Sequence, residues 1–207
     1  QPESSAASDV YKRQLFISTP LLAIILVPLY GYLDGYDLYE WLVFLGMMLF
    51  CGLSITAGYH RMWSHKAYKG HPFLRLTFAL GGACALQNDV MHWASDHRRH
   101  HRHVDQNDLD PYSAGRGFWF SHIGWILRHY ASGKEDFSNI KDIQQDKVAL
   151  WQHQHYLILV LLTNIALPAF LGFLHGDIIA CLLLGGLLRL VISLSLIHIS
   201  EPTRLRR

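Results

Sequence analysis

Three stretches of nineteen residues, Leu15–Leu33, Trp41–Tyr59 and Tyr156–Leu174, contain no charged side chain. At 1.5 Å of rise per residue each makes a helix of roughly 28 Å, close to the thickness of a bilayer's hydrocarbon core. A fourth apolar run starts at Ile178 and continues past Arg189. In a chain of 207 residues that is 51% hydrophobic, this pattern predicts an all-α integral membrane protein with four transmembrane helices. Pro20, Pro28 and Pro168 fall inside the runs, where neighbouring groups can satisfy the carbonyls they free. The run from Phe73 to Leu86 is shorter, carries Arg75 and is broken by Gly81-Gly82, so it reads as an interfacial or re-entrant helix.

Charge around the runs gives an orientation. The loop Asp34–Glu40 has three acids and no basic residue, and His175-Gly176-Asp177 has no Lys or Arg. Between Arg61 and Gln152 there are twelve Lys or Arg, with Arg61, Lys66, Lys69 and Lys147 next to the membrane. The positive-inside bias puts this segment on the cytoplasmic side, as a helical cap on the bundle. The net charge of +2 gives no reason to expect a nucleic-acid partner. Cys51, Cys84 and Cys181 are scattered, which points neither to a disulfide framework nor to a thiolate metal site. Arg189 lies deep in the last run, so a buried partner is expected for it.

The predicted cytoplasmic segment holds two histidine clusters, His60-Arg61-Met62-Trp63-Ser64-His65 and His97-Arg98-Arg99-His100-His101. At 100° per residue, His97, His100 and His101 share one 100° sector of a helix. Three imidazoles facing one way suit iron, copper, nickel or zinc. His60 and His65, five apart, would sit about 140° apart on a regular α-helix, so they would have to grip a metal from a helix end or a distorted turn. Asp89 and Trp93 fall on the triad's face of a helix spanning 88–103. This predicts Trp93 as a channel wall and Asp89 or Asp96 as acceptors of an imidazole N–H. His92 and His103 point away from the triad, and His122, His129, His153 and His155 have no ligand spacing among themselves; all six are read as structural or surface groups.

Gly58–His65 and Gln87–His101 resemble the first two histidine boxes of the membrane fatty acid desaturases, in particular the stearoyl-CoA Δ9 type of acyl-CoA desaturase. Asp110-Pro111-Tyr112 and Arg116–Trp125 are similar to that family as well. The resemblance implies four transmembrane helices with a cytosolic cap, a centre of two iron ions, and O2-dependent insertion of a cis double bond into a saturated fatty acyl chain carried on CoA or another acyl carrier. It makes His60, His65, His97, His100 and His101 metal ligands and places Asn88 near the acyl chain or thioester. Arg128 matches a position that could meet CoA phosphates, with a snorkelling arginine at the membrane edge as the alternative. No haem-binding His-Pro-Gly-Gly is seen, so electrons would come from a separate cytochrome b5-like or ferredoxin-type donor, or from a domain fused beyond residue 193 in the parent. The family's third histidine box, of HxxHH form, is absent, and Ser95 stands where the family has arginine.

Residues 1–14 and 194–207 resemble translated sequencing adapter and are expected to be non-native, leaving 15–193 as a partial desaturase domain that is inactive by itself and whose parent sits in a bacterial inner membrane. Two other readings compete. A membrane di-iron hydroxylase or alkane monooxygenase would share the histidine chemistry but release an alcohol. A metal transporter would place its ligands near the bilayer midplane, whereas these clusters fall at helix ends. No H-E-x-x-H occurs, which argues against a zincin protease.

Overall fold

The computed structural model describes the backbone of residues 2–127 and 130–200 and, among the side chains, 14–127, 130 and 132–195. Among these the chain is helical throughout, with irregular segments and no strand. Four helices are long and apolar enough to cross a membrane, Gln14–Leu33, Leu38–Ser64, Lys147–His175 and Ile178–Ser195. We label Pro2–Leu33 α1, Leu38–Ser64 α2, Pro72–Ala85 α3, Val90–Arg102 α4, Lys147–His175 α5 and Ile178–Ser195 α6. The four runs read from sequence are therefore α1, α2, α5 and α6, and the short fifth run is α3.

The helices α2, α5 and α6 each start where a polar residue captures orphan N–H groups. Asp37 accepts from Tyr39 and Glu40 while Glu40 accepts from the Asp37 N–H, a reciprocal capping box at the head of α2. Asp146 accepts from the Val148 and Ala149 N–H groups at the head of α5, and Asp177 from the Ala180 N–H at the head of α6, without the reciprocal bond. The two short loops meet at one end of the bundle. There Tyr30 donates to Asp177 at 2.7 Å and His175 pairs with Asp37 at 2.8 Å. Both histidine clusters lie away from these loops, His60 in the last turns of α2 with His65 closing it and His97–His101 on α4.

The outward faces stay apolar: Ile24, Leu157 and Phe173 are each at least 70% exposed. Such faces suit lipid, since a water-soluble chain rarely exposes so much apolar surface. Inside, α3 is wedged between α2 and α5. Its Gly81 and Gly82 have no side chain because an added Cβ would fall 2.0 Å from Ser54 Oγ and 2.2 Å from the Tyr59 ring. The fully buried Gln152 of α5 ties four helices together. Its amide donates to Tyr59 Oη at 2.6 Å and to the Ala79 carbonyl at 2.5 Å, and its oxygen accepts from the Val90 N–H at 2.9 Å. Arg189, also fully buried, donates to the carbonyls of Gly185 and Cys84 and to Asn164 Oδ1. Its expected partner is thus a set of neutral oxygens.

Candidate metal centre

Beyond Leu53 the second helix widens into a π-helix, Ser54–Ser64, closed by the His65 N–H donating to the His60 carbonyl at 3.0 Å. An i→i+5 repeat stacks residues five apart on the same side, so His60 and His65 face each other with ring centroids 4.5 Å apart. This is the distorted turn that the spacing requires. The second cluster needs no distortion. Along α4, ordinary α-helical spacing brings His97 and His101 together, with ring centroids 4.6 Å apart.

These two elements put four imidazoles in one place. Donor nitrogens of His60, His65, His97 and His101 all lie within 4.8 Å of one another. His97 Nε2 is 2.9 Å from His65 Nε2 and 3.1 Å from His101 Nε2. Adjacent ligands bonded at about 2.0–2.1 Å to one octahedral ion would be roughly 2.9–3.0 Å apart, so the donor set fits a transition metal. His97 is 3% exposed, with the Trp93 ring stacked on it at 4.7 Å; Trp93 also meets Tyr59 and His60 edge-on. Trp93 therefore walls the cluster, which keeps the pocket apolar on that side.

His100 stands apart from the four. Its ring centroid is 6.5 Å from that of His97, and its Nδ1 lies 2.9 Å from each oxygen of Asp110. Asp110 is fully buried and also accepts the backbone N–H groups of Asp105 and Tyr112, while the Tyr112 ring packs on His100 at 4.6 Å. A carboxylate on one ring nitrogen fixes an imidazole's tautomer and leaves Nε2 as the ligating atom. This arrangement leaves Nε2 as the His100 nitrogen that could take a metal.

Asp89 and Asp96, expected to accept an N–H from a cluster imidazole, engage other groups, Asp89 with His92 and His153 and Asp96 with Arg99. Asp89 is the N-cap of α4 with extended backbone, so the helical wheel does not apply to it; its side chain folds back onto the Met91 and His92 N–H groups. Its other oxygen meets His92 and His153. Burial works to raise its carboxyl, but the His92 and His153 contacts outweigh that and leave it below the usual carboxylate range. Asp96 turns outward to Arg99, and burial holds its carboxyl above the usual range despite that partner. Asn88 is exposed and sits in the left-handed region at φ 70°, two residues after Leu86 at φ 56°. This tight turn between α3 and α4 sets where α4 starts. Arg128 lies outside the described residues.

Two groups that hold the site together were not assigned from sequence. Arg98, inside the second box, donates to the carbonyls of Trp63 and Ser64, the last two residues of the π-helix, at 2.8 and 3.0 Å. The same guanidinium makes a two-pronged pair with Asp142, at 2.7 and 2.9 Å, and holds that carboxyl well below the usual range. Asp110 is the second; an Asp-Pro pair nine residues after the last histidine was the available signal. Ser95, where the family carries arginine, is buried and donates to the Asp136 carbonyl and Asn139 Oδ1, so here it fastens α4 to the loop before α5.

Comparison with known proteins identifies the family. The fatty acid desaturase family model matches residues 39–202. The chain is 39% identical to acyl-CoA desaturase 1 of Saccharomyces cerevisiae over 142 residues, 68% of this chain and 28% of the relative. It is 43% identical to an acyl-CoA desaturase of Cyprinus carpio over 133 residues, 63% and 40% of the two chains. With the acyl-CoA Delta-9 desaturase of Acheta domesticus the identity is 37% over 175 residues, 81% and 48%. The chain thus spans between about a quarter and a half of the length of these relatives. With its long apolar helices and paired histidine boxes, it belongs to the fatty acid desaturase family.

Proposed function

We propose that the chain is part of an iron-dependent, O2-consuming acyl-CoA desaturase that inserts a cis double bond, of the Δ9 type, into a saturated fatty acyl chain. The observation that carries this is the convergence of four imidazoles from two elements at one end of an apolar bundle. Iron held there would supply the oxidising power that removal of hydrogen from an unactivated methylene demands, which no side chain can provide. The chain's own groups do the rest. His60, His65, His97 and His101 hold one ion; His100, set by Asp110, is offered to a second. Trp93 and Tyr59 form an apolar wall that excludes water and fixes the register of an alkyl chain.

In this reading the histidine boxes face the cytoplasm of a bacterial inner membrane, and a separate cytochrome b5-like or ferredoxin-type protein delivers electrons. The acyl group arrives on CoA or on another carrier. Five imidazoles fall short of a full shell for two irons, so the 207-residue chain alone is expected to bind metal without turning over. The test is a product assay on the parent protein reconstituted with iron, a reductant and stearoyl-CoA. A cis-monounsaturated product supports the proposal; an alcohol would assign the protein to the hydroxylases, and no O2-dependent product would remove the desaturase reading.

A further inference from the structure

On the side of α4 away from the four-histidine cluster, Asp89, His92 and His153 make a separate group. His92 precedes His97 by five residues, about 140° round the helix. Asp89 Oδ1 is used by the two backbone N–H groups it caps, which leaves Oδ2 for the imidazoles. His92 Nδ1 is 2.6 Å from it and His153 Nδ1 3.2 Å. His153 Nδ1 is buried and makes no hydrogen bond of acceptable geometry, despite lying that close to a carboxylate oxygen. The three donor atoms all fall within 4.8 Å of one another.

We propose that Asp89, His92 and His153 form a second metal site, taking a divalent cation of borderline softness such as zinc. For bonds of about 2.0–2.1 Å a tetrahedral ion separates its ligands by roughly 3.3–3.5 Å. The Asp89–His153 separation already has that length within about 0.1–0.3 Å. The shorter Asp89–His92 separation is that of a proton shared between the two groups, and it lengthens when a cation replaces the proton. Glu135 completes the arrangement: its carboxylate lies 3.4 Å from His92 Nε2, the nitrogen that points away from Asp89. A ligating imidazole whose second N–H meets a carboxylate is the usual support of a bound metal. Two carboxylates beside two imidazoles make a mixed oxygen and nitrogen donor set of the kind zinc takes. The imidazoles are about a third exposed, so an ion can enter without opening the bundle. The fourth position is left for water. Bound there, the ion would pin the first turn of α4 to α5 and to the loop carrying Glu135 and Phe137, whose ring packs edge-on against both imidazoles.

The site stands independently of what the four-histidine cluster reacts with, and the test separates the two. The 207-residue chain carrying His97→Gln and His101→Gln, which disables the cluster, is dialysed in detergent against zinc and its metal counted. One zinc per chain is expected to remain, and adding His92→Gln and His153→Gln should weaken it more than tenfold at unchanged helicity. As a check that needs no variant, zinc should protect His92 and His153 of the unaltered chain from carbethoxylation, read by mass spectrometry, while the exposed His155 stays reactive. Zinc retained equally by the quadruple variant, or no protection in the unaltered chain, overturns the site.

Discussion

The two histidine boxes reach the same point by opposite means. Box one hangs from a π-helix, whose wide turn brings residues five apart into register. Box two sits on an ordinary α-helix with an Asp N-cap at its start and residues three and four apart on one face. A π-turn is the weaker of the two, since its backbone geometry is rare and persists only where surroundings impose it. Here the imposing group is Arg98 of the regular helix, which grips the last two carbonyls of the irregular one. Trp63 adds a second tie, its indole N–H donating to Asp146 at 2.8 Å, beside Arg75 on the same carboxylate. The rigid box therefore holds the strained box in shape.

That asymmetry can be broken in graded steps. Replacing His97, the buried nitrogen that both His65 and His101 approach, should have the largest effect. His97→Ala is expected to weaken metal binding more than about 100-fold, beyond the 10–100-fold typical for loss of a supporting group. Arg98→Lys keeps the charge but loses the fork that spans two carbonyls and a carboxylate, so about tenfold weaker binding is expected with the α4 ligands intact. Metal titration of both variants checks the order; equal losses would mean that Arg98 does more than hold box one. Gln152→Leu leaves the Val90 N–H without its buried acceptor and removes the amide that donates to the Tyr59 hydroxyl, which should cost about 1–3 kcal/mol in unfolding assays while metal affinity changes less.

The smallest effect comes from pH. Asp142 is held below its ordinary range chiefly by the hydrogen bond from Arg98. A depressed carboxyl contributes stability above its unfolded value, about pH 4, and loses it as pH falls through the lower folded value. Asp142 is partly exposed, so the contribution is no more than about 1 kcal/mol. The stability gap between the unaltered chain and Asp142→Asn should hold from pH 7 to 5 and shrink below about pH 4. A gap that grows with acid would reverse the assignment.

Much of this was legible in the residues. Three uncharged runs and a fourth interrupted only by Arg189 gave the four long helices, because length and a near absence of charge are what a span requires. The i, i+3, i+4 spacing of His97, His100 and His101 gave a shared face, and the awkward i,i+5 spacing of His60 and His65 gave a distorted turn. Legibility ended where a side chain folds back on itself or reaches across the fold. Asp89 looked like a member of the triad's face only because a helical wheel cannot know that a residue is a cap. Arg98 gave no sign that its partners lie some 35 and 44 positions away in sequence, at Trp63, Ser64 and Asp142. His100 shares the triad's sector, yet Asp110 and Tyr112 draw its ring away from His97. His92 and His153 are 61 residues apart, so the carboxylate that joins them could be found only in three dimensions.

The most direct test of the central claim is X-ray absorption at the iron edge, on the chain loaded anaerobically with Fe(II) in detergent. If the two boxes close on one ion, the spectrum shows a shell dominated by imidazole nitrogen, and the signal is lost in His97→Ala and in His65→Ala alike. Retention of the same imidazole shell after either substitution, or failure of the unaltered chain to retain iron, would contradict the account.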